Sequence, residues 1–355
     1  MENFDVIVVG AGASGLIAAS RAAELGARVL LVEKKQRAGN KLLITGKGRC
    51  NITNTAPLSE YFSRIQPRGK FLKHTFSSFF SDDIVEFLEK EGVPTVEERG
   101  GRVFPKSNSA KDVLQALLNH ATRQGVTVWY NSSVSALHQE DGQIKGVRYI
   151  KSGEEYYLTA RSVILATGGK SYPATGSEGD GYTLARSTGH TISDVRPALV
   201  PLEIKGDVTK RLQGLTLKNV KAVVWVNGKK ATEEFGELLF THFGLSGPII
   251  LTLSRLVVDE IRAGKALRIS IDLKPALDEK KLDNRLLRDL EDHARKQLEN
   301  IAKFWFPSKL IPVFLDTVSI DKTKAGHQIT SKERKRIKMF MKEFTFQVKA
   351  PRSFK

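Results

Sequence analysis

The sequence predicts an α/β fold: a Rossmann-like first domain, with an inserted domain after it that is part β-barrel and part helical. Three observations predict it. A β-branched apolar run near the N-terminus enters a glycine-rich turn and then an Ala- and Leu-rich stretch. A second apolar run follows and ends in an acid. Near residue 193 the pattern changes to hairpin-like strands and long amphipathic segments. The expected organisation is 1–192 for the first domain and 193–345 for the insertion, with 346–355 starting a return to the first domain.

Phe4-Asp5-Val6-Ile7-Val8-Val9 reads as a buried parallel strand, because it is short, apolar and rich in β-branched residues. It runs into Gly10-Ala11-Gly12-Ala13-Ser14-Gly15, and Leu16 to Leu25 then reads as a helix with Gly26 placed to end it. Arg28-Val29-Leu30-Leu31-Val32 is the second strand, and Glu33 follows it 18 residues after the third glycine. Each part has a physical task. Gly10 permits the tight turn, Gly12 lets the backbone approach a pyrophosphate, and Gly15 lets helix and strand pack closely. The first N–H groups of the helix face the phosphates, and Glu33 accepts from a ribose diol. A dinucleotide site is the expectation.

Length and composition bound the alternatives. The 355 residues carry 41% hydrophobic and 27% charged side chains, which excludes a disordered or collagen-like chain. The single cysteine, Cys50, excludes an intrachain disulfide framework and a Cys-rich zinc site, and points to a reducing compartment. Val6 to Ala19 follows an acidic start and is interrupted by Gly10, Gly12 and Gly15, so it fits neither a signal peptide nor a membrane span. The expectation is cytoplasmic, without a membrane, and the oligomeric state stays open. The seven histidines are scattered without metal-ligand spacing, so no metal is expected.

Gly39 to Asn54 is a second glycine-rich polar stretch, with Lys41, Thr45, Gly46, Gly48, Arg49, Cys50 and Asn51 suited to lie along an extended cofactor. Simple nicotinamide dehydrogenases usually lack such a loop directly after the second strand. Val163-Ile164-Leu165-Ala166-Thr167-Gly168-Gly169 is a further buried strand ending in a glycine pair. In two-dinucleotide-fold flavoproteins a strand of this kind returns beside the cofactor. Between them, Ser81 is expected to cap a helix opened by Asp82-Asp83, and Ser109-x-x-Asp112 resembles a capping box. Asp141-Gly142 turns between the strands of a β-meander, and Asn227-Gly228 marks a hairpin. Asp283 to Phe306 and Ser331 to Phe344 read as long amphipathic segments of the part-helical insertion. Gly176-Ser177-Glu178-Gly179-Asp180-Gly181 has its glycines in the wrong order for a second fingerprint and follows no strand.

Gly10 to Gly15, Gly39 to Asn54, Gly101-Arg102-Val103-Phe104-Pro105, Ala166 to Gly181 and Leu239 to Pro248, in that order, make the sequence resemble the BaiN-like NAD(P)/FAD-dependent oxidoreductases, also filed as the aminoacetone oxidase family. The match covers essentially the whole chain. The resemblance implies FAD as bound cofactor, with NAD(P)H a transient donor and oxygen an equally compatible acceptor. It also implies that Val134 meets the adenine and that Cys50 lies near the flavin. The expected cofactor residues are then Gly10, Gly12, Ala13, Ser14, Gly15, Glu33, Lys34, Lys41, Thr45, Gly46, Gly48, Arg49, Cys50, Asn51, Val134, Ala166, Thr167, Gly168 and Gly169. Family members continue past this point with a segment near Gly-Glu-x-Leu-Asp that this sequence lacks, so the expectation is a truncated chain whose flavin retention is open.

Flavin carries the redox chemistry, so no side chain is obliged to act as nucleophile. Arg49 either offsets charge on reduced flavin or makes a structural contact. His242 is either a proton donor or a turn histidine, and Tyr172 either an acid or a structural residue. Cys50 has no partner for thiol–disulfide work and reads as a packing residue. The expected function is hydride transfer through FAD between a small organic substrate and NAD(P)H or oxygen. The net charge of +17 supplies the rival reading, a flavin-dependent RNA-modifying or RNA-binding protein. From Lys281 on there are 18 basic against 9 acidic residues, densest over Lys332 to Lys338. That run lacks the interleaved aromatics of a single-strand binder and reads as a solvated helix face, so nucleic acid is not expected. A non-catalytic remnant is the third reading.

Overall fold

A computed structural model describes residues 3–65 and 69–354, and the chain divides into one unit ending at Ser193 and a second from Asp194 to Phe354. The first unit is built on a mixed sheet. Its strands are β1 (Phe4–Val9), β2 (Val29–Val32), β6 (Thr127–Trp129), β7 (Ser132–Glu140), β8 (Gln143–Lys151) and β9 (Glu154–Leu165), ordered β6-β2-β1-β9-β8-β7. Strands β6, β2, β1 and β9 are parallel, and β9, β8 and β7 continue as an antiparallel meander. A small sheet of β3 (Thr53–Asn54), β5 (Arg102–Pro105) and β4 (Thr95–Glu98) stands apart from it.

The order follows from the sequence. β2 is buried at every position and β1 at four of six, the pattern of strands covered on both faces. The helix Ala13–Glu24 crosses from β1 to β2 and buries Leu16, Ala19 and Ser20 on one side. Its end is a glycine turn: Gly26 sits at φ +86, its N–H donates to Ala23 O, and the Ala27 N–H donates to Ala22 O. Because β9 enters on the other side of β1 from β2, the connections leaving β1 and β9 part, opening a crevice at the carboxyl ends of these strands.

Two caps differ from expectation. Ser81 is the first residue of its helix (Ser81–Lys90), not its cap. Phe80 takes the cap position, its N–H donating to Asp83 Oδ2 at 2.6 Å, while the Ser81 hydroxyl donates to the Asn54 carbonyl. Ser109 does cap Ala110–Arg123, but its hydroxyl donates to the Asp112 carboxylate at 3.3 Å, so the reciprocal box is absent.

The second unit is a closed barrel of β10 (Leu202–Ile204), β11 (Thr216–Val226), β12 (Lys229–Phe240), β13 (Gly244–Ser246), β14 (Leu267–Asp272) and β15 (Phe344–Pro351), ordered β10-β13-β12-β11-β14-β15. β11 and β12 pair antiparallel about Asn227 and Gly228, both at positive φ, the geometry of a two-residue hairpin turn. The helix Pro248–Arg262 buries Ile249, Ile250, Leu253 and Val257 in the same core.

Residues 346–351, expected to begin a return to the first domain, instead belong to β15, which pairs with β14 and β10 and closes the barrel. The reason is in its alternation. Phe344, Phe346 and Val348 are buried in turn, and each buried large apolar side chain contributes about 1.5–3 kcal/mol that an exit from the barrel would forfeit.

The long amphipathic segment from Asp283 to Phe306 is not one helix. It forms Glu279–Asp292 and Leu298–Ala302, with a turn between. Competing tertiary hydrogen bonds explain the break. The Leu298 N–H donates to Lys324 O, and the Ala294 and Lys296 carbonyls accept from His327 and Gly326. Helix continuation would need those groups for itself.

Candidate active site

A cavity of about 490 Å³ lies in the first unit, within the range of cofactor pockets. Its wall is formed by Val9, Gly10, Gly12, Ala13 and Ser14 at the end of β1, by Val32 and Glu33 at the end of β2, and by Ala166 to Gly168 after β9. The strand ends are locked together: the Gly10 N–H donates to Val32 O at 2.8 Å and the Ala166 N–H to Val9 O at 2.9 Å.

The glycines of the turn have separate causes. A Cβ on Gly15 would lie 1.8 Å from Gly10 O, so the helix start and the turn fit only if this residue is glycine. Gly12 is different. Its φ of −78 and ψ of −177 suit any residue, and a Cβ there would meet nothing within 4 Å. Protein packing therefore does not demand glycine at position 12. The open space lies at the cavity wall, beside the first turn of a helix whose earliest N–H groups point away from its own hydrogen-bond ladder. A pyrophosphate needs such a space, and the residues present fit FAD.

Glu33 holds this corner. Its Oε2 accepts from the Ala11 N–H at 2.8 Å and its Oε1 from the Lys35 N–H at 2.9 Å, which fixes the carboxylate at the wall with lone pairs left for a ribose. Val134, Ser132 and Ser133 of β7 line the same end. The stretch after β2 is not a plain loop. It forms a short helix, Asn40–Ile44, and then a tight turn over Thr45–Gly48, in which Gly46, Lys47 and Gly48 have positive φ. Lys41, Thr45, Cys50 and Asn51 reach the wall from it. Burial lowers the Lys41 ammonium below the usual lysine range, and an anionic ligand beside it would offset that desolvation. Burial also pushes the Cys50 thiol up to about 11, which leaves it protonated at neutral pH.

Lys34 closes the other side. Burial alone would lower its pKa, but hydrogen bonds to Asp180 at 2.5 Å and Glu178 at 2.8 Å outweigh it and raise the ammonium above the usual range. Asp180, Thr175, Gly176, Ser177 and Leu184 complete this wall. Sequence reasoning named none of these as cofactor residues, although Ala166 to Gly181 is among the runs that carry the family resemblance and Gly176 to Gly181 was rejected as a second fingerprint. Its nearness to the Ala166–Gly169 strand end was the available signal. Ser132 and Ser133 were missed beside Val134, and Asn40 beside Lys41.

Among the expected cofactor residues, Gly15, Gly46, Gly48, Arg49 and Gly169 are not part of the cavity wall. Gly15 and Gly46 act through the backbone: a Cβ on Gly46 would lie 2.9 Å from Asn51 N. Nor does the wall contain the three candidate catalytic side chains. The Arg49 guanidinium lies 4.1 Å over the Phe104 ring, donates to Asn108 Oδ1 and pairs with Glu98, all structural contacts. Tyr172 is 53% exposed, with its carbonyl accepting from Thr175. His242 is exposed at the β12–β13 turn of the second unit, where Thr241 and Gly244 bond each other. Among the described residues, no helix is long and apolar enough to cross a membrane.

The profile of the HI0933-like protein Rossmann domain matches residues 4–343. A 3-dehydro-bile acid delta(4,6)-reductase of Clostridium scindens is 32% identical over 311 residues, 87% of this chain and 74% of that protein. A ribosomal RNA dihydrouridine synthase of Escherichia coli is 30% identical over 312 residues, 88% of this chain and 73% of that protein. The open conformation of a flavocytochrome c3 fumarate reductase aligns at TM-score 0.49 and 20% identity, over 99% of this chain and 67% of that one. By the match over residues 4–343 and the two relatives at 30% identity or more, the chain belongs to the HI0933-like family and is an FAD-dependent oxidoreductase.

Proposed function

We propose that the protein reduces a carbon–carbon double bond conjugated to a carbonyl in a small organic substrate, with NAD(P)H as donor and FAD in the cavity of the first unit. The observation that carries this reading is the void at Gly12 beside the Glu33 carboxylate, which suits an extended dinucleotide. The reaction type draws support from the names of the two relatives. A delta(4,6)-reductase acting on a 3-dehydro substrate and a synthase of dihydrouridine both saturate a double bond in conjugation with a carbonyl.

When bound, FAD supplies the two-electron redox centre that links donor to substrate. The chain's own residues bind and orient it. The turn Gly10–Gly15 and Lys41 meet the phosphates, Glu33 the ribose, and β7 at Val134 the adenine. Cys50 stays a neutral packing group.

A uridine carried in RNA is the second reading of the substrate, favoured by the net charge of +17. The test is an absorption spectrum of the purified protein, then anaerobic NADH or NADPH, then a conjugated enone or uridine-containing RNA. A flavin band that bleaches with nicotinamide and recovers with one of these substrates supports the reading. A band that bleaches and recovers only with oxygen overturns the reductase assignment.

A further inference from the structure

Three helices of the first unit supply an apolar part of the cavity wall. Ile17 comes from Ala13–Glu24, Ile84 and Leu88 from Ser81–Lys90, and Val113 and Leu117 from Ala110–Arg123. Farther along the same helix stripes the chemistry changes. Glu24 lies seven residues after Ile17, Glu91 three after Leu88, and His120 three after Leu117, spacings of one or two turns. None of these three is part of the wall itself.

There the His120 ring joins the other two helices. Its Nδ1 lies 3.0 Å from Glu91 Oε1 and its Nε2 lies 3.0 Å from Glu24 Oε1, with only 12% of the side chain exposed. Arg21 donates to Glu24 at 2.9 Å, Arg123 donates to Glu91 at 2.6 Å, and the Phe87 ring packs edge-on to the imidazole at 4.9 Å. The hydrogen bond from Arg21 holds the Glu24 carboxyl below the usual range, with His120 adding to it against burial. Burial would raise Glu91, but the bonds from Arg123 and His120 outweigh it and lower it. Both carboxylates are therefore ionised at neutral pH.

An ionised carboxylate only accepts hydrogen bonds, and a neutral imidazole has a single N–H to give. With both ring nitrogens set against carboxylate oxygens, both bonds exist only when the ring carries two protons. A neutral ring turns one lone pair towards a carboxylate oxygen, a repulsive contact at the junction of three helices.

We propose that His120 is a positioning residue for the cofactor cavity. Carrying two protons, it clamps the helices Ala13–Glu24, Ser81–Lys90 and Ala110–Arg123 around the apolar wall, and loss of one proton slackens that wall and hastens cofactor release. The inference rests on FAD occupying this cavity and adds regulation of its retention by pH. Because the clamp lies outside the wall, its effect travels through the helices, which are close-packed and shift as units when a contact is lost.

The test uses the FAD-loaded full chain, with flavin release followed by fluorescence on dilution at about pH 5.5 and about pH 8.5, values that bracket the titration of histidine side chains in general. Wild-type release is expected to be about fivefold faster at the higher pH, the weight of one partly screened ionic hydrogen bond. Glu24→Gln is the decisive variant. Its amide can donate to a bare Nε2, so its release rates at the two pH values should agree within about twofold, both slow. A merely structural ion pair predicts the opposite, faster release once the carboxylate is gone. His120→Gln has one donating end for two carboxylates and should release at the fast rate at both pH values. Ring-nitrogen NMR of the histidine-labelled protein, with the His120 signal assigned by its absence in His120→Gln, should show two N–H protons at the lower pH and one at the higher. Equal wild-type rates at the two pH values, a wild-type pH dependence in either variant, or a single ring proton at the lower pH overturns the proposal. Failure of the underlying reading looks different. Flavin that is absent, or retained in Gly12→Val, removes FAD from this cavity, whereas flavin lost in Gly12→Val but released at a rate indifferent to pH removes the clamp alone.

Discussion

Lys34 and Asp180 are 146 residues apart in the sequence and meet at 2.5 Å, fastening the end of β2 to the helix Asp180–Ser187 across the cavity wall. Thr167 lies beneath that helix, since a Cβ on Gly181 would fall 2.1 Å from its hydroxyl. The segment 175–184 is thus held from two sides while it lines the cavity.

If that segment retains the cofactor, Lys34→Ala should release FAD faster. Lys34 is 19% exposed and Asp180 38%, so the pair is partly screened and contributes about 1 kcal/mol. The expected effect is about a fivefold rise in the FAD dissociation rate, measured by recovery of flavin fluorescence on dilution. The ammonium titrates above the usual lysine range when folded, so the contact is fully present at neutral pH. It is lost only as pH climbs past the raised value. An unchanged rate would mean that the segment does not hold the cofactor.

Gly12 and Gly15 should fail differently. Gly12→Val places atoms into the void and leaves the fold intact, because the backbone there is extended and no protein atom is near. The variant should melt within a few degrees of the wild type and carry no flavin. Gly15→Val collides with Gly10 O and should lose several kcal/mol of stability whether or not flavin is supplied. Thermal melts beside flavin content separate the two. Retained flavin in Gly12→Val would remove the pyrophosphate from this turn.

Glu333 offers a stability test in the second unit. It closes a capping box with Thr330, accepting from the Thr330 N–H at 2.8 Å and returning its own N–H to the Thr330 hydroxyl at 3.3 Å. Its carboxylate also takes Lys324 at 2.7 Å. Burial would raise its pKa, but the bonds from Lys324 and Thr330 win and lower it to about 2. The folded value is depressed, so its contribution is present above pH 4.5 and is lost as pH falls towards 2. Glu333→Gln should cost about 2 kcal/mol at pH 7, discounted for partial exposure, and nearly nothing near pH 2. Chemical denaturation at both pH values measures it. A loss that does not change with pH would assign the effect to packing.

The legible part of this protein was the part coded locally. Gly10 to Gly15 and the Asn227-Gly228 hairpin are short patterns whose geometry is decided by neighbours in sequence, and the strand–turn–helix and the hairpin form where the sequence places them. The misread part was decided at a distance. Nothing within Asp283 to Phe306 announces that Leu298 will donate to Lys324, so the break between the two helices could not be seen. Likewise Arg49 had the look of a ligand residue until Phe104 and Glu98 were brought to it. The wall from Thr175 to Leu184 is joined to Lys34 only by folding. Thr330-x-x-Glu333 was legible as a capping box and went unread beneath the charge of the run.

Cys50 closes the set of testable residues. It sits at φ +64, buried at the cavity wall, with a thiol held at about 11 by burial. At pH 8 only about one thiol in a thousand would be ionised, and a thiolate is required for alkylation. Iodoacetamide should therefore leave the native protein unmodified over a period in which the denatured chain reacts completely. The raised value is that of a group kept neutral, so its stabilising share is full below pH 9 and falls as pH rises through the unfolded value. Cys50→Ala should keep flavin and reductase activity within about twofold, since the thiol fills space and carries no proton or electron. Loss of turnover with flavin retained would instead make Cys50 a participant in the reaction.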